Sequence, residues 1–252
     1  MGANALKTPY ERRRRMLMTK KKISPRDVIA SVFILLQVAI FPFIQFTPGG
    51  VSLRWSYASI ILCVIMAFVF FDSDRSKHLI RAGLCCTLVA DYFLVVDGDK
   101  LLEGVVAFTF VQAAYFAYLY LKEERRALRI ANVISRAIVS LSLVIGAFIV
   151  LGEDVDALAV VSVLYYANLV INTVFAFTQG RRERVFAIGL LLFCMCDLCI
   201  GLEVLFSSYL GSDALDFFYG AHLSLPWVFY QPSQTLIALS MWHKIHGKAY
   251  QG

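Results

Sequence analysis

Charge is what this sequence has least of. Only 17% of its 252 residues are Asp, Glu, Lys or Arg, and 59% are hydrophobic. An ordinary soluble domain carries about 25% charged and about 45–50% apolar residues. A water-soluble globular fold is therefore excluded, and the mean hydropathy of +0.69 agrees. Histidine is scarce as well. His78, His222, His243 and His246 are scattered near span ends and do not converge, so no metal site and no zinc-dependent hydrolase is expected. There is no G-x-S-x-G elbow and no Walker or dinucleotide glycine pattern, which removes serine-hydrolase, nucleotide and dinucleotide chemistry. No cofactor is expected. The six cysteines (63, 85, 86, 194, 196 and 199) all lie in apolar segments. None has the loop spacing of a disulfide framework, so they read as free thiols packed as small hydrophobes.

What is present is a run of long apolar segments. Eight spans are read at 28–46, 55–71, 79–96, 104–121, 130–151, 157–177, 185–206 and 223–242. Each has about the 17–25 residues needed to cross a bilayer. The expected fold is all-α, a polytopic membrane bundle of eight helices. Residues 1–27 form a basic cytoplasmic tail, 28–243 the membrane domain and 244–252 a short cytoplasmic tail. Ser24-Pro25-Arg26-Asp27 reads as a helix start, with Ser24 as cap, Pro25 in the first turn and Asp27 closing a capping box. Phe46 to Gly50 offers no small-residue cleavage site, so the first span is not a cleaved signal peptide, and Pro48-Gly49-Gly50 is taken as the first turn.

The distribution of basic residues tests this layout. With the amino terminus in the cytoplasm, the inner segments hold 21 Lys and Arg and the outer loops hold 2, Arg54 and Lys100. That asymmetry follows the positive-inside rule and puts both termini in the cytoplasm, at the plasma membrane if the source is bacterial. The net charge of +6 is topological in origin, and no nucleic-acid partner is expected. The outer loops are acidic, at Asp97, Asp99, Glu103, Glu153, Asp154, Asp156, Asp213 and Asp216. The remaining basic residue, Arg136, lies inside span five. Snorkelling back to the headgroups accounts for it; the alternative is a counter-ion for a buried carboxylate or a lipid phosphate.

Two aspartates organise the rest. Asp91 in LCCTLVADYFLVV and Asp197 in LLLFCMCDLCIGL are each the only charge in a long apolar run. A carboxylate at membrane depth costs several kcal/mol, about 3 on insertion scales, and such residues face the bundle interior. Spans three and seven run the same way and place both at similar depth. Each is followed by a returning span with Gln and Tyr: Gln112 and Tyr115 in span four, Tyr230 and Gln234 in span eight. This reads as two parallel four-helix halves with a site between them. A protonated Asp bonded to a neighbouring Gln also joins helices without any further role, for about 0.6 kcal/mol per bond. Asn168 and Asn172 in span six read as such glue.

At these residues the chain resembles the lysoplasmalogenase, or YhhN-like, family of multi-span membrane proteins. Its first block, G/A-D-x-x-L, then G-x-x-A-F, then H-x-x-Y, is met by Ala90 to Leu94, by Gly104 to Phe108 (GVVAF), and by Gln112 to Tyr115 (QAAY). The second, G-x-x-x-F-x-x-S-D followed by Y-x-x-A-Q-x-L-I-A, is met by Gly189 to Phe193 with Asp197, and by YQPSQTLIA at Tyr230 to Ala238. Gln112 stands where the family has His, and Cys196 where it has Ser before the second Asp. The resemblance implies hydrolysis of the vinyl-ether bond of lysoplasmalogens, releasing a fatty aldehyde and a glycerophospho-alcohol. It implies Asp91 and Asp197 as catalytic residues, with Gln112, Tyr115, Tyr230 and Gln234 binding a lysophospholipid substrate. Protonation of the vinyl β-carbon and stabilisation of an oxocarbenium ion suit a carboxyl pair, as in glycosidases, and need no metal. Two other classes remain open: a small transporter or channel with the two Asp as proton or cation ligands and broken helices at Gly104, Pro226 and Pro232, and a membrane scaffold.

Overall fold

The computed structural model describes residues 24–47, 49–69, 74–209 and 224–242. The basic tail up to residue 23, Pro48 of the expected first turn, and Asp213, Asp216, His222, His243, Lys244, His246 and Lys248 lie outside the described residues. The described residues form eight α-helices and no strand: α1 (Pro25–Phe46), α2 (Gly49–Val69), α3 (Lys77–Asp91), α4 (Leu101–Lys122), α5 (Arg126–Leu151), α6 (Ala157–Thr178), α7 (Arg184–Tyr209) and α8 (Leu225–Ser240). Seven are long and apolar enough to cross a membrane; α8, with 16 described residues, is shorter. The protein is an all-α membrane helical bundle.

Local chemistry sets the helix ends. Ser24 caps α1 as expected: its Oγ accepts from the Asp27 backbone N–H at 3.2 Å, and Asp27 Oδ2 accepts from the Ser24 N–H at 3.2 Å. The expected turn at Pro48-Gly49-Gly50 is shorter than the sequence suggests, because Gly49 and Gly50 already belong to α2. Its hydrogen-bonded closure is instead Ser52 Oγ donating to the Ile44 carbonyl at 2.6 Å. The broken helices envisaged for a transporter do not appear in α4 or α8: Gly104 lies within continuous α4, and Pro232 within continuous α8. The irregular helix is α3. Directly after Asp91 it widens into a π-helical segment, Tyr92–Asp97, which Gly98 ends at φ 77°. Such π turns are rare and are often found beside functional residues.

The loops of one end are bound to each other, which fixes the up-and-down order. Lys122 Nζ lies 2.6 Å from Glu183 Oε1 and 3.7 Å from Asp74 Oδ2. Arg125 donates to the Thr178 carbonyl at 2.9 Å, and Lys77 Nζ to the Met241 carbonyl at 3.1 Å. At the other end Gln45 Oε1 accepts from the Ser224 N–H at 2.8 Å, tying α1 to the start of α8.

The two halves pack in a repeated order. Within each, successive helices are neighbours, and α3 lies along α4 as α7 lies along α8. Between halves, α4 packs on α6 and α8 packs on α2. Close approach in each pair is made at a glycine eight residues before the aspartate. A Cβ at Gly83 would sit 2.3 Å from the Tyr115 ring of α4; one at Gly189 would sit 2.8 Å from Ile237 and 3.1 Å from the Ser233 carbonyl of α8. The fully buried core between the halves includes Leu84, Tyr115, Tyr118, Phe186, Leu190, Phe193 and Ile237. By contrast α5 is peripheral, with Asn132 its one buried residue.

Candidate functional site: two aspartate–tyrosine pairs on one aromatic cluster

Asp91 is the last residue of α3 before the π turn and is 2% exposed. The Tyr230 hydroxyl of α8 lies 2.8 and 2.7 Å from its two carboxyl oxygens. Asp197, at mid-length in α7, is half-buried. Its Oδ2 accepts a 2.5 Å hydrogen bond from the Tyr165 hydroxyl of α6. The two tyrosines rest on the same pair of phenylalanines. Phe193 lies 5.4 Å from Tyr230 and 6.4 Å from Tyr165, between ring centroids, and Phe108 lies 6.5 and 5.6 Å from them. Phe108 and Phe193 are themselves in edge-to-face contact at 5.5 Å. Trp227 closes the cluster against Tyr230 at 5.2 Å. The rings fix the tyrosines, and each tyrosine fixes one carboxyl.

The geometry distinguishes the two pairs. A phenol has one proton and donates it to one oxygen at a time. At Asp91 both carboxyl oxygens are within hydrogen-bond distance of one phenol oxygen. A carboxylic acid suits this arrangement, because one oxygen accepts from Tyr230 while the other donates back. At Asp197 there is one contact, at the 2.5–2.7 Å length usual for a hydroxyl on an ionised oxygen.

One helical turn away lies a layer of buried polar side chains. Thr87 is four residues before Asp91, and Gln234 four after Tyr230; both are fully buried. The Tyr115 hydroxyl has Thr87 as a neighbour without a well-formed hydrogen bond. Both side-chain polar atoms of Gln234 and the Gln112 Nε2 are buried with no partner. Gln112 is otherwise held by Asn172, whose Nδ2 donates to its Oε1 at 2.9 Å and to its carbonyl at 3.0 Å. Buried polar atoms almost always find a partner, so unpaired ones mark a place where water or a ligand is expected.

Of the six residues singled out in the sequence, the structure brings Asp91 and Tyr230 into direct contact and sets Asp197 on the same aromatic cluster. Tyr115, Gln112 and Gln234 lie in the adjoining layer and touch neither carboxyl through any hydrogen bond. Tyr165 is not among the residues that the sequence singles out. Depth alone points to it: Tyr165 is thirteen residues from Thr178, the end of α6, as Asp197 is thirteen from Arg184, the start of α7. The reading of Arg136 needs correction. Its guanidinium does not snorkel outward; it donates to Asn132 Oδ1 at 3.0 Å, Asn168 Oδ1 at 2.6 Å and Asn172 Oδ1 at 2.5 Å, with the Phe116 ring 4.2 Å away. Those three amide oxygens hold it within the bundle; through it Asn168 and Asn172 link α6 to α5, and Asn172 also links α6 to α4, in keeping with their reading as links between helices.

No match was found among curated proteins or among solved structures. The sequence profile of the YhhN family matches residues 51–241, from the first turn of α2 to just past the end of α8, and so takes in Asp91, Asp197, Tyr165 and Tyr230. With three quarters of its length covered by that profile, the chain belongs to the YhhN family.

Proposed function

We propose that this protein is a membrane-embedded hydrolase that cleaves the vinyl-ether bond of lysoplasmalogen-type lipids with the Asp91–Asp197 pair. The observation that carries the reading is the unequal partnership of the two carboxyls: Asp91 with both oxygens on one phenol, Asp197 with one short bond and part of its surface open. Enzymes that pass through oxocarbenium ions use two carboxyl groups in different protonation states. Asp91 is then the acid and Asp197 the carboxylate.

Asp91 gives its proton to the vinyl β-carbon, and the positive charge settles on the α-carbon and the ether oxygen. Asp197 faces that charge. Water adds to the α-carbon and its proton passes to Asp197. The hemiacetal then collapses: its hydroxyl proton returns to Asp91, the bond to the glycerol oxygen breaks, and that oxygen takes the proton from Asp197. A fatty aldehyde and a glycerophospho-alcohol leave, and both carboxyls are restored. The aromatic cluster supplies a low-dielectric wall that strengthens the electrostatic interaction between cation and carboxylate. The unpaired amide and hydroxyl groups of Gln112, Tyr115 and Gln234 supply donors and acceptors for the polar part of a lysophospholipid. The split of 21 inner to 2 outer Lys and Arg supports an orientation with both termini in the cytoplasm.

The test uses the purified full chain in detergent with a 1-alkenyl lysophospholipid and follows aldehyde release. Aldehyde is expected from the alkenyl substrate and none from its 1-alkyl analogue, whose saturated carbon accepts no proton. Folded protein that releases no aldehyde above the buffer rate overturns the proposal.

A further inference from the structure

Among the described residues Arg136 is a cation without an acid. It lies seven residues beyond Arg129, about 10 Å deeper along α5, and no carboxylate is within ion-pair distance of it among the described residues. Its hydrogen-bond partners among the described residues are neutral amide oxygens. A permanent charge at this depth is costly and calls for a compensating partner.

The other half of the bundle is an internal comparison. There Gln37 of α1 takes the same station. It reaches two α2 residues one turn apart, donating from Nε2 to the Ser59 carbonyl at 3.0 Å and to Cys63 Sγ at 3.3 Å, and receives Gln231 of α8 at 2.9 Å. Arg136 of α5 likewise reaches Asn168 and Asn172, one turn apart on α6. Joining the first helix of a half to the second therefore needs no charge. A neutral glutamine does it in one half, and the arginine in the other adds a cation to it.

We propose that Arg136 receives the phosphate of the lipid substrate, a deepening that rests on the lysophospholipid reading above. A guanidinium has five N–H donors. The three asparagines use three, leaving one on each terminal nitrogen, the fork that suits two phosphate oxygens. The reach also fits. Asn168 is one turn along α6 from Tyr165, the partner of Asp197, a rise of about 4.5 Å. In a lysoplasmalogen five bonds separate the vinyl-ether oxygen from phosphorus, roughly 6 Å at about 1.5 Å per bond with tetrahedral angles. A phosphate at Arg136 thus leaves the ether oxygen near the level of the two aspartates.

The experiment measures binding, not turnover. The probes are a single-chain 1-alkyl glycerophospholipid, which is not hydrolysed, and the matching 1-alkylglycerol, which lacks the phosphate. The full chain in detergent is expected to bind the phosphate-bearing probe about tenfold to a hundredfold more tightly, a preference of the size usual for a charged pair. Arg136→Gln, which installs the residue type of the other half, is expected to bring that ratio close to one. If it does not fold, Arg136→Lys, which keeps the charge but loses the fork, is expected to lower the ratio severalfold. A ratio unchanged in the folded variant overturns the assignment. Inorganic phosphate is tested alone: stabilisation of the chain by the free ion, with no preference between the two lipid probes, also overturns it in favour of a free-anion site. Because neither probe reacts, failure of aldehyde release leaves this result standing, and an unmoved ratio in a protein that does release aldehyde overturns this inference alone.

Discussion

Replacing each aspartate by asparagine separates their roles. At Asp91 the substitution leaves the Tyr230 contacts intact, since Asn Oδ1 accepts from the phenol and Nδ2 donates to the phenol oxygen across the same 2.8 and 2.7 Å. Asp91→Asn should therefore fold with a melting temperature near the parent's while losing its transferable proton. At Asp197 the amide oxygen still accepts from Tyr165, but the 2.5 Å charge-assisted bond becomes a neutral one. That loses about 1 kcal/mol, from the difference between charged and neutral hydrogen bonds, offset by removing a charge from the bundle. Turnover should fall about 10²-fold or more in each variant, the usual size of a lost general acid or base, or roughly 2.7 kcal/mol in the barrier. The parent's rate should be bell-shaped in pH and slower in D₂O, because a proton moves to carbon. The alkaline limb should be missing from what remains of Asp91→Asn, and the acid limb from Asp197→Asn. The double variant should be little worse than the worse single one, because groups that act as a unit are not additive. Aldehyde release is followed alongside thermal unfolding in detergent. Full turnover by either folded single variant refutes the mechanism and leaves two carboxyls that only join helices.

Three further outcomes are expected. Gly83→Ala puts a methyl 2.3 Å from the ring of Tyr115, which is fully buried against Phe186 at 5.3 Å and has no room to retreat; overpacking of this kind costs about 1–3 kcal/mol, so thermal unfolding should shift down by several degrees, and an unchanged midpoint contradicts the packing of α3 on α4. At the bundle end, hydrogen bonds from Arg125 hold the Glu123 carboxyl below its ordinary range against the opposing effect of burial, and hydrogen bonds from Ser76 with the charge of Lys122 lower Asp74 despite its own burial. Carboxyls lowered on folding contribute stability that is present above their ordinary values and lost as the pH falls through the folded ones, so the midpoint should drop as the solution is acidified below about pH 4.5, and Glu123→Gln should flatten that slope. Cysteine labelling of intact cells should place residues 153–156 on the face opposite the amino terminus; the same face for both contradicts the proposed orientation.

The sequence alone determined the helices, because the length and apolarity of each segment and the capping of Ser24 by Asp27 are local properties. It also singled out Asp91 and Asp197, because a lone carboxyl in an apolar run is costly in any membrane fold. Depth followed from counting along helices, and so the level of Tyr230 and the adjoining layer of Gln112, Tyr115 and Gln234 were legible. The direction of each side chain was not, since it depends on how a helix is rotated against neighbours remote in sequence. That rotation is set by close approaches at Gly83 and Gly189, whose lack of a side chain matters only once Tyr115 and Ile237 lie opposite. It brought Tyr165 rather than a residue of α4 to Asp197, stacked Phe108 and Phe193 between the two tyrosines, and turned Arg136 inward. For Arg136 the deciding contacts are Asn168 and Asn172, more than thirty residues away, and only the packing of α5 on α6 sets three amide oxygens where a guanidinium can reach them.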